Sequence, residues 1–181
     1  MPPIGLDSEI PRGWSHLRTV RKREERSAWF DLGSLLVSAT PDASDPVERA
    51  RRATEFFAPL VPGQLGCVFD HSARDLVTGY IDVTDQLIAG TGFLFAPAVI
   101  ALADTCAAIG CGNNVAEGAS FTTIELKSNF LSSARVGERV SCRCLPVHLG
   151  RQTHVWDAEV RNDSTGRLMA LFRCTQMILS R

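Results

Sequence analysis

The sequence predicts an α+β domain in which a curved antiparallel sheet wraps around one buried helix. Residues 96–109 are apolar on every side of a helix, which is typical of a helix that is buried all round. From residue 122 onwards the pattern changes to period two and keeps that period through four segments, as expected for strands with one polar face. Such a sheet needs a cover for its apolar face, and the central helix is the long apolar element available.

Length and charge limit the functions that the chain can have. Its 181 residues suit a single domain with a substantial core. The net charge of -1, with both signs spread along the chain, argues against nucleic-acid binding as the main function. No apolar run reaches the roughly 18 residues that span a bilayer, and the N-terminus lacks the apolar segment of a secretion signal. We therefore expect a cytoplasmic protein with neither a nucleic-acid nor a membrane partner.

The cysteine pattern indicates neither a metal site nor a redox site. The six cysteines match no zinc or redox spacing, and two of them lie two residues apart, where a strand puts both thiols on one face; they are Cys67, Cys106, Cys111, Cys142, Cys144 and Cys174. Most such cysteines are small core residues. We expect a reducing compartment, no metal and no cofactor.

Residues 1–45 differ in composition from the rest of the chain. They contain Pro2, Pro3, Pro11 and Pro41, with Pro46 directly after them, and a basic cluster at residues 18–26. The cluster is compatible with an anionic partner, although a solvated segment beside a poorly ordered arm is the favoured interpretation. We expect residues 1–45 to form an N-terminal extension, poorly ordered or docked on the surface, and residues 46–181 to form a single domain.

The domain begins with a helix and two strands. Asp45 can cap the helix, Pro46 suits its first position and Glu48 completes a capping box. The helix continues through Phe57 and ends at residues 62–63. Strands follow at residues 65–70 and 76–83, joined by a polar turn at residues 71–75 that holds His71. A glycine loop at residues 89–92 leads into the central helix and matches no established phosphate loop.

Four alternating segments follow the central helix. They are residues 123–130, 139–144, 156–161 and 167–174. The breaks between them, residues 132–137, 148–151 and 162–166, have hairpin lengths and turn chemistry. The pattern predicts four consecutive antiparallel strands.

One carboxylate, Asp104, lies in the middle of the central helix. At 100° per residue the bulky stripe lies almost opposite Asp104 and consists of Val99, Leu102, Cys106 and Ile109. Asp104 instead lies among the small residues Pro97, Ala101 and Ala108, which leave room for another backbone or a thin ligand. A buried acid needs partners or a shifted pKa. It is either a structural acid that binds a backbone amide or a functional acid, and spacing alone does not choose between them.

Five segments in this order resemble the hotdog-fold thioesterases of the phenylacetate-pathway (PaaI-like) type. They are Ala101-Leu102-Ala103-Asp104-Thr105 in the helix, the strand at residues 122–131, the turn at residues 134–137, the segment at residues 150–160 and the closing residues 170–173. The resemblance covers about residues 65–179. It implies a hotdog fold and an acyl-CoA thioesterase that acts as a homodimer or a homotetramer (a dimer of dimers), with the active site between two subunits.

The resemblance also implies catalytic roles. Asp104 matches the family's acid, which acts as general base or nucleophile, and Thr123 matches a residue that orients water. The family's His-Gly-Gly triplet, whose backbone amides polarise the thioester carbonyl, is Phe95-Ala96-Pro97 here, and the position of a supporting Asn falls near Ala89. Ala96 keeps an N–H, whereas Pro97 has none. The acid is thus present without part of its support, so a non-catalytic hotdog protein that binds acyl-CoA is the alternative.

Substrate-binding candidates follow from the chemistry of CoA. Its anionic head group calls for basic residues, for which Lys127, Arg143 and Arg151 are candidates, and the residues at the start of the helix, Phe93, Phe95 and Pro97, are placed to contact an acyl group. Each of these also has a plain structural interpretation, as a solvated strand residue or a core residue. A hydratase on the same fold is disfavoured because no histidine lies on the helix or its lead-in.

Overall fold

A computed structural model describes residues 45–179 and confirms the α+β architecture. The helices are α1 (Pro46–Phe57), α2 (Val61–Gln64) and α3 (Ala96–Gly112), with a 3-10 turn at Asp85–Leu87. The strands are β1 (Val68–Ser72), β2 (Val77–Asp82), β3 (Ser120–Phe130), β4 (Arg139–Leu149), β5 (Thr153–Asn162) and β6 (Leu168–Leu179). The extension expected at residues 1–45 lies outside the described residues, apart from Asp45.

All six strands form one antiparallel sheet in the order β1-β2-β4-β5-β6-β3, with α3 packed against its inner face. The expectation of a hairpin at residues 132–137 is wrong, because β3 pairs with β6 and not with β4. The connection instead crosses the end of the sheet and ties it to the lead-in of α3, where the Leu94 N–H donates to the Ala134 carbonyl at 2.9 Å. The strand β3 is therefore an edge of the sheet.

The core lies between α3 and the sheet, as the sequence predicts. The bulky helix stripe, the inward side chains of β4, β5 and β6, and all six cysteines are buried. Gly110 gives the fully buried Trp156 room, because a Cβ at Gly110 would lie only 2.5 Å from Trp156 Cη2. This contact fixes α3 against β5. Among the described residues, no helix has the length and apolar character needed to cross a membrane.

The first helix and the first strands differ from the prediction in detail. Asp45 accepts from the Val47 N–H at 3.1 Å, so the cap is confirmed. Glu48 does not complete a capping box, because its carboxylate binds the guanidinium groups of Arg51 and Arg52 at 2.7 and 2.9 Å. His71 lies in β1 opposite Thr78 and not in the turn, because the β1–β2 pairing extends to Ser72, two residues beyond the predicted end of the strand.

Candidate active site

The central helix leaves one stripe uncovered, and Asp104 lies on it. Ile100, Ala101, Asp104 and Ala108 are half-buried and Pro97 is exposed, whereas the opposite side of α3 is buried. The sequence-based placement of the acid opposite the bulky stripe is therefore confirmed. The carboxylate lies at the boundary between the core and a surface that the described chain leaves open.

A β-bulge brings Thr123 to the acid. The Thr123 hydroxyl donates to Asp104 Oδ1 at 3.1 Å, and the pairing of β3 with β6 shifts register between Thr123 and Glu125. Strict alternation would put Thr123 and Lys127 on the same face of the strand. The extra residue, Ile124, puts Thr123 on the helix side and leaves Lys127 on the outer side.

Gln176 completes a polar chain that the sequence analysis did not find. It lies opposite Thr123 on β6 and is 0 % exposed, and its Nε2 donates to Thr123 Oγ1 at 2.9 Å. The sequence contained a signal for this residue, because Gln176 lies two residues after Cys174 and so continues the series of inward-facing residues on β6. A polar residue at the end of an apolar series on a buried face is a candidate for a site.

Burial determines the acid strength of Asp104. It raises the pKa of the carboxyl above the ordinary value for aspartate, and the hydrogen bond from Thr123 opposes this rise with a smaller effect. The neighbouring Cys174 thiol has its pKa raised to about 12, mainly by burial and next by the Asp104 charge. That thiol therefore stays protonated at neutral pH. Asp104 has a hydroxyl donor to hold it and a proton affinity above that of an exposed aspartate.

The start of α3 presents one unused backbone donor. The Phe95 N–H donates to the Leu87 carbonyl at 2.8 Å, and the Ala98 N–H donates to the Phe95 carbonyl at 2.9 Å. Pro97 has no N–H. Within residues 45–179 the Ala96 N–H has no acceptor, so it is available to a ligand at the positive end of the helix dipole.

One chain does not bring Asp104 and the Ala96 amide together. Eight residues separate them on the helix, which corresponds to about 12 Å along the axis and about 80° around it. A carbonyl hydrogen-bonded to the amide would lie beyond the reach of a water activated by the carboxylate of the same chain. The two groups are therefore on one helix but not in one site.

The basic candidates lie in two separate places. Lys127 and Arg143 line a concavity of about 470 Å³ on the outer face of the sheet, where Arg173 pairs with Asp157 at 2.6 Å. The sheet separates this concavity from Asp104, so the structure does not bring these two residues to the acid. Arg151 is exposed in the turn between β4 and β5. Their substrate-binding roles stay predictions.

A second concavity, of about 350 Å³, lies beside the start of α3. Phe93 lines it, and the Arg135 guanidinium lies 4.8 Å from the centroid of the Phe93 ring. Arg167 and the hydroxyl-bearing Ser132 and Ser133 line it as well. Phe95 projects from the same end of the helix and is 48 % exposed. Neither Arg135 nor Arg167 was a sequence-based candidate. The crossing of residues 131–138 over the sheet end brings Arg135 to Phe93, and the turn between β5 and β6 adds Arg167 to the concavity.

Comparisons with known proteins agree with this fold. A family model described as the Thioesterase superfamily matches residues 91–169. The chain is 32% identical over 118 residues to 1,4-dihydroxy-2-naphthoyl-CoA hydrolase of Escherichia coli, covering 65% of this chain and 85% of that protein.

Solved structures extend the likeness. A mutant of the thioesterase enzyme SAV0944 from Staphylococcus aureus is 31% identical, with a TM-score of 0.62 over 65% of this chain and 97% of that one. The E. coli PaaI protein, at 20% identity, has a TM-score of 0.64 over 75% of this chain and 96% of that one, which shows the fold. The chain therefore belongs to the thioesterase superfamily, as a hotdog-fold thioester hydrolase.

Proposed function

We propose that this protein is an acyl-CoA thioesterase in which Asp104 drives hydrolysis. The observation that carries the proposal is the Asp104 carboxylate itself: it lies on the uncovered stripe of α3, accepts a hydrogen bond from Thr123, and has a pKa raised by burial. A general base works best when its pKa is closer to the working pH. The carboxylate is thus suited either to activate water or to attack the acyl carbon directly.

The water route uses three groups of the protein. Thr123 and Asp104 bind a water, the carboxylate takes one proton, and the water oxygen attacks the thioester carbon. The carbonyl oxygen becomes an oxyanion that accepts a hydrogen bond from an Ala96 N–H. The tetrahedral intermediate then breaks its C–S bond, and the proton held by Asp104 is returned to the sulfur of CoA. The products are a carboxylic acid and free CoA.

A second copy of the chain supplies the Ala96 amide in this proposal. The separation of about 12 Å between Ala96 and Asp104 along one helix supports a site shared by two subunits. The edge strand β3 supports it too, because its Ile124 is 53 % and its Leu126 41 % exposed beside the uncovered stripe. Unpaired strand edges with apolar side chains are typical pairing surfaces. We propose a homodimer, with a homotetramer formed from two such dimers.

The substrate is a CoA thioester in this proposal. The name of the E. coli relative, a naphthoyl-CoA hydrolase, supports it, and so do the two guanidinium groups of Arg135 and Arg167 beside the start of α3, which suit the phosphates of CoA. Phe93 and Phe95 are placed to contact the acyl group. The six free thiols support a reducing compartment, and we propose the cytoplasm.

Hydrolysis of a panel of acyl-CoAs, followed by release of the CoA thiol, tests the reaction. We expect Asp104→Asn, which keeps the shape of the side chain, to lower kcat at least about 100-fold relative to the wild type. A wild-type rate equal to that of Asp104→Asn, with CoA thioesters still bound, would exclude the enzyme. The non-catalytic acyl-CoA-binding alternative, which the replacement of His-Gly-Gly by Phe95-Ala96-Pro97 favours, would then be correct.

Mixing two inactive variants tests the shared site. Ala96→Pro lacks the amide donor and Asp104→Asn lacks the base, but each keeps the group that the other has lost. In a mixed dimer one of the two sites would combine an intact Asp104 with an intact Ala96, so random exchange should restore about a quarter of the wild-type activity. Recovery of no activity from dimers shown by native mass spectrometry to be mixed would rule out a site shared in this way.

A further inference from the structure

A fully buried amide lies behind the proposed base. Gln176 faces Thr123 across the β3–β6 pairing and His154 across the β5–β6 pairing. Its Nε2 lies 2.9 Å from Thr123 Oγ1, whereas its Oε1 has no hydrogen-bond partner among residues 45–179. A buried carbonyl without a partner costs free energy. The stability of the fold therefore gives little reason for a glutamine at this position.

The Gln176 amide determines which way the Thr123 hydroxyl donates. An amide nitrogen only donates and an ionised carboxylate only accepts, while a hydroxyl has one proton to give. Because Nε2 donates to Thr123 Oγ1, the single hydroxyl proton is directed to Asp104 Oδ1, 3.1 Å away. Without the amide, the hydroxyl can rotate and the carboxylate can turn away from one fixed orientation.

We propose that Gln176 is a positioning residue: acting through Thr123, it holds the Asp104 carboxylate ionised and in one orientation. The effect of Gln176 on turnover rests on the proposed function, whereas the effect of Gln176 on the Asp104 carboxylate does not. Titratable groups on the surrounding strands do not replace it. The Cys144 and Cys174 thiols are protonated, since burial raises the pKa of both, and burial lowers the pKa of His154, which is neutral at pH 7.

A double-mutant cycle tests whether Gln176 acts through Thr123. Gln176→Met has a similar length and no donor, and Thr123→Val removes the hydroxyl. We expect Gln176→Met to lower kcat about tenfold with little change in KM and to move the acidic limb of the pH profile to higher pH. In the Thr123→Val background the same change should have no further effect. An equal loss in both backgrounds would show that Gln176 acts only on packing.

A titration that needs no turnover separates this inference from the proposed function. The Asp104 carboxyl carbon, followed by NMR over a range of pH, should report a higher pKa in Gln176→Met than in the wild type, because the Thr123 donor is no longer directed to it. An unchanged pKa would overturn the inference even in an active enzyme. A higher pKa would support it even if Asp104→Asn proved as active as the wild type, which would remove only the proposed function.

Ser72→Ala is the matched control for loss of a buried polar contact. Ser72 is fully buried on β1, at the opposite edge of the sheet, and its hydroxyl accepts from Asn113 at 2.9 Å. We expect this variant to lose stability and to keep the wild-type pKa of Asp104. A shift of the Asp104 pKa in Ser72→Ala as large as that in Gln176→Met would show a general effect of destabilisation and overturn the inference.

Discussion

Replacing Ala96 by proline removes one backbone N–H from the start of the central helix and changes little else. Ala96 is the first residue of α3, a position where proline is favoured. The preceding Phe95, with φ -62 and ψ 120, already has the extended conformation that a following proline requires. The Ala96 N–H has no acceptor within residues 45–179, so no intramolecular hydrogen bond is lost. We expect the free energy of unfolding to change by no more than about 1 kcal/mol.

The expected loss in rate is much larger. Deleting one donor to a tetrahedral oxyanion costs about 100- to 1,000-fold in kcat, or about 2.7 to 4 kcal/mol. The upper part of that range applies here, because the first turn of α3 has no other free N–H that could replace the Ala96 donor. The N–H groups of Phe95 and Ala98 are bonded to carbonyls, and Pro97 has none. Since the oxyanion exists only after attack on the thioester, KM should change far less than kcat.

Steady-state hydrolysis of the best acyl-CoA substrate tests the role of the Ala96 amide. Thermal unfolding and native mass are measured on the same samples. Ala96→Gly is the control, since it keeps the N–H and removes only the methyl group, and it should retain most of the activity. A folded Ala96→Pro dimer with the wild-type kcat would refute the role of this amide. Equal losses in both variants would trace the effect to packing at the start of the helix.

Three further predictions concern stability and assembly. Asp104→Asn should unfold at a higher temperature than the wild type at pH 7. The folded wild type binds the Asp104 proton more tightly than the unfolded chain does, so its stability falls as the pH rises from the ordinary aspartate pKa through the raised pKa of Asp104. In a series of melting curves at different pH, the difference between the two proteins should vanish below the ordinary aspartate pKa. Leu126→Lys on the edge strand should lower both the native mass and kcat, whereas Val47→Lys on the exposed side of α1 should change neither. Gly110→Ala should destabilise the protein by about 1 to 3 kcal/mol in urea unfolding, because the new methyl group would meet the Trp156 ring; an unchanged midpoint would contradict the packing described.

Local patterns in the sequence are sufficient to predict the central helix and the position of its acid. Residues 96–109 are apolar all round, so they have to be buried, and the 100° step places Asp104 opposite Val99, Leu102 and Cys106, which the structure confirms. The inward residues of β4 and β5 follow from period two for the same reason. In each case one element's own side chains decide which face is covered.

Features that depend on how distant strands pair could not be predicted in this way. Residues 122–130 alternate without interruption, so nothing local indicates the bulge at Ile124; it arises from the register with β6. That single residue decides that Thr123 meets Asp104 and that Lys127 does not. The pairing of β3 with β6 also brings Gln176 to Thr123, across 53 residues of sequence.

The surroundings of Asp104 support the proposal that its carboxylate serves catalysis and not the fold. A structural acid is usually held by several donors that lower its pKa. Asp104 instead accepts one hydroxyl hydrogen bond, and burial raises its pKa, so its ionised form is a net cost to stability at neutral pH. An asparagine would accept the same bond without that cost. What the asparagine lacks is a base facing the open stripe of the helix, and a second copy of that helix, with its unused Ala96 amide, is the partner that would make the base useful.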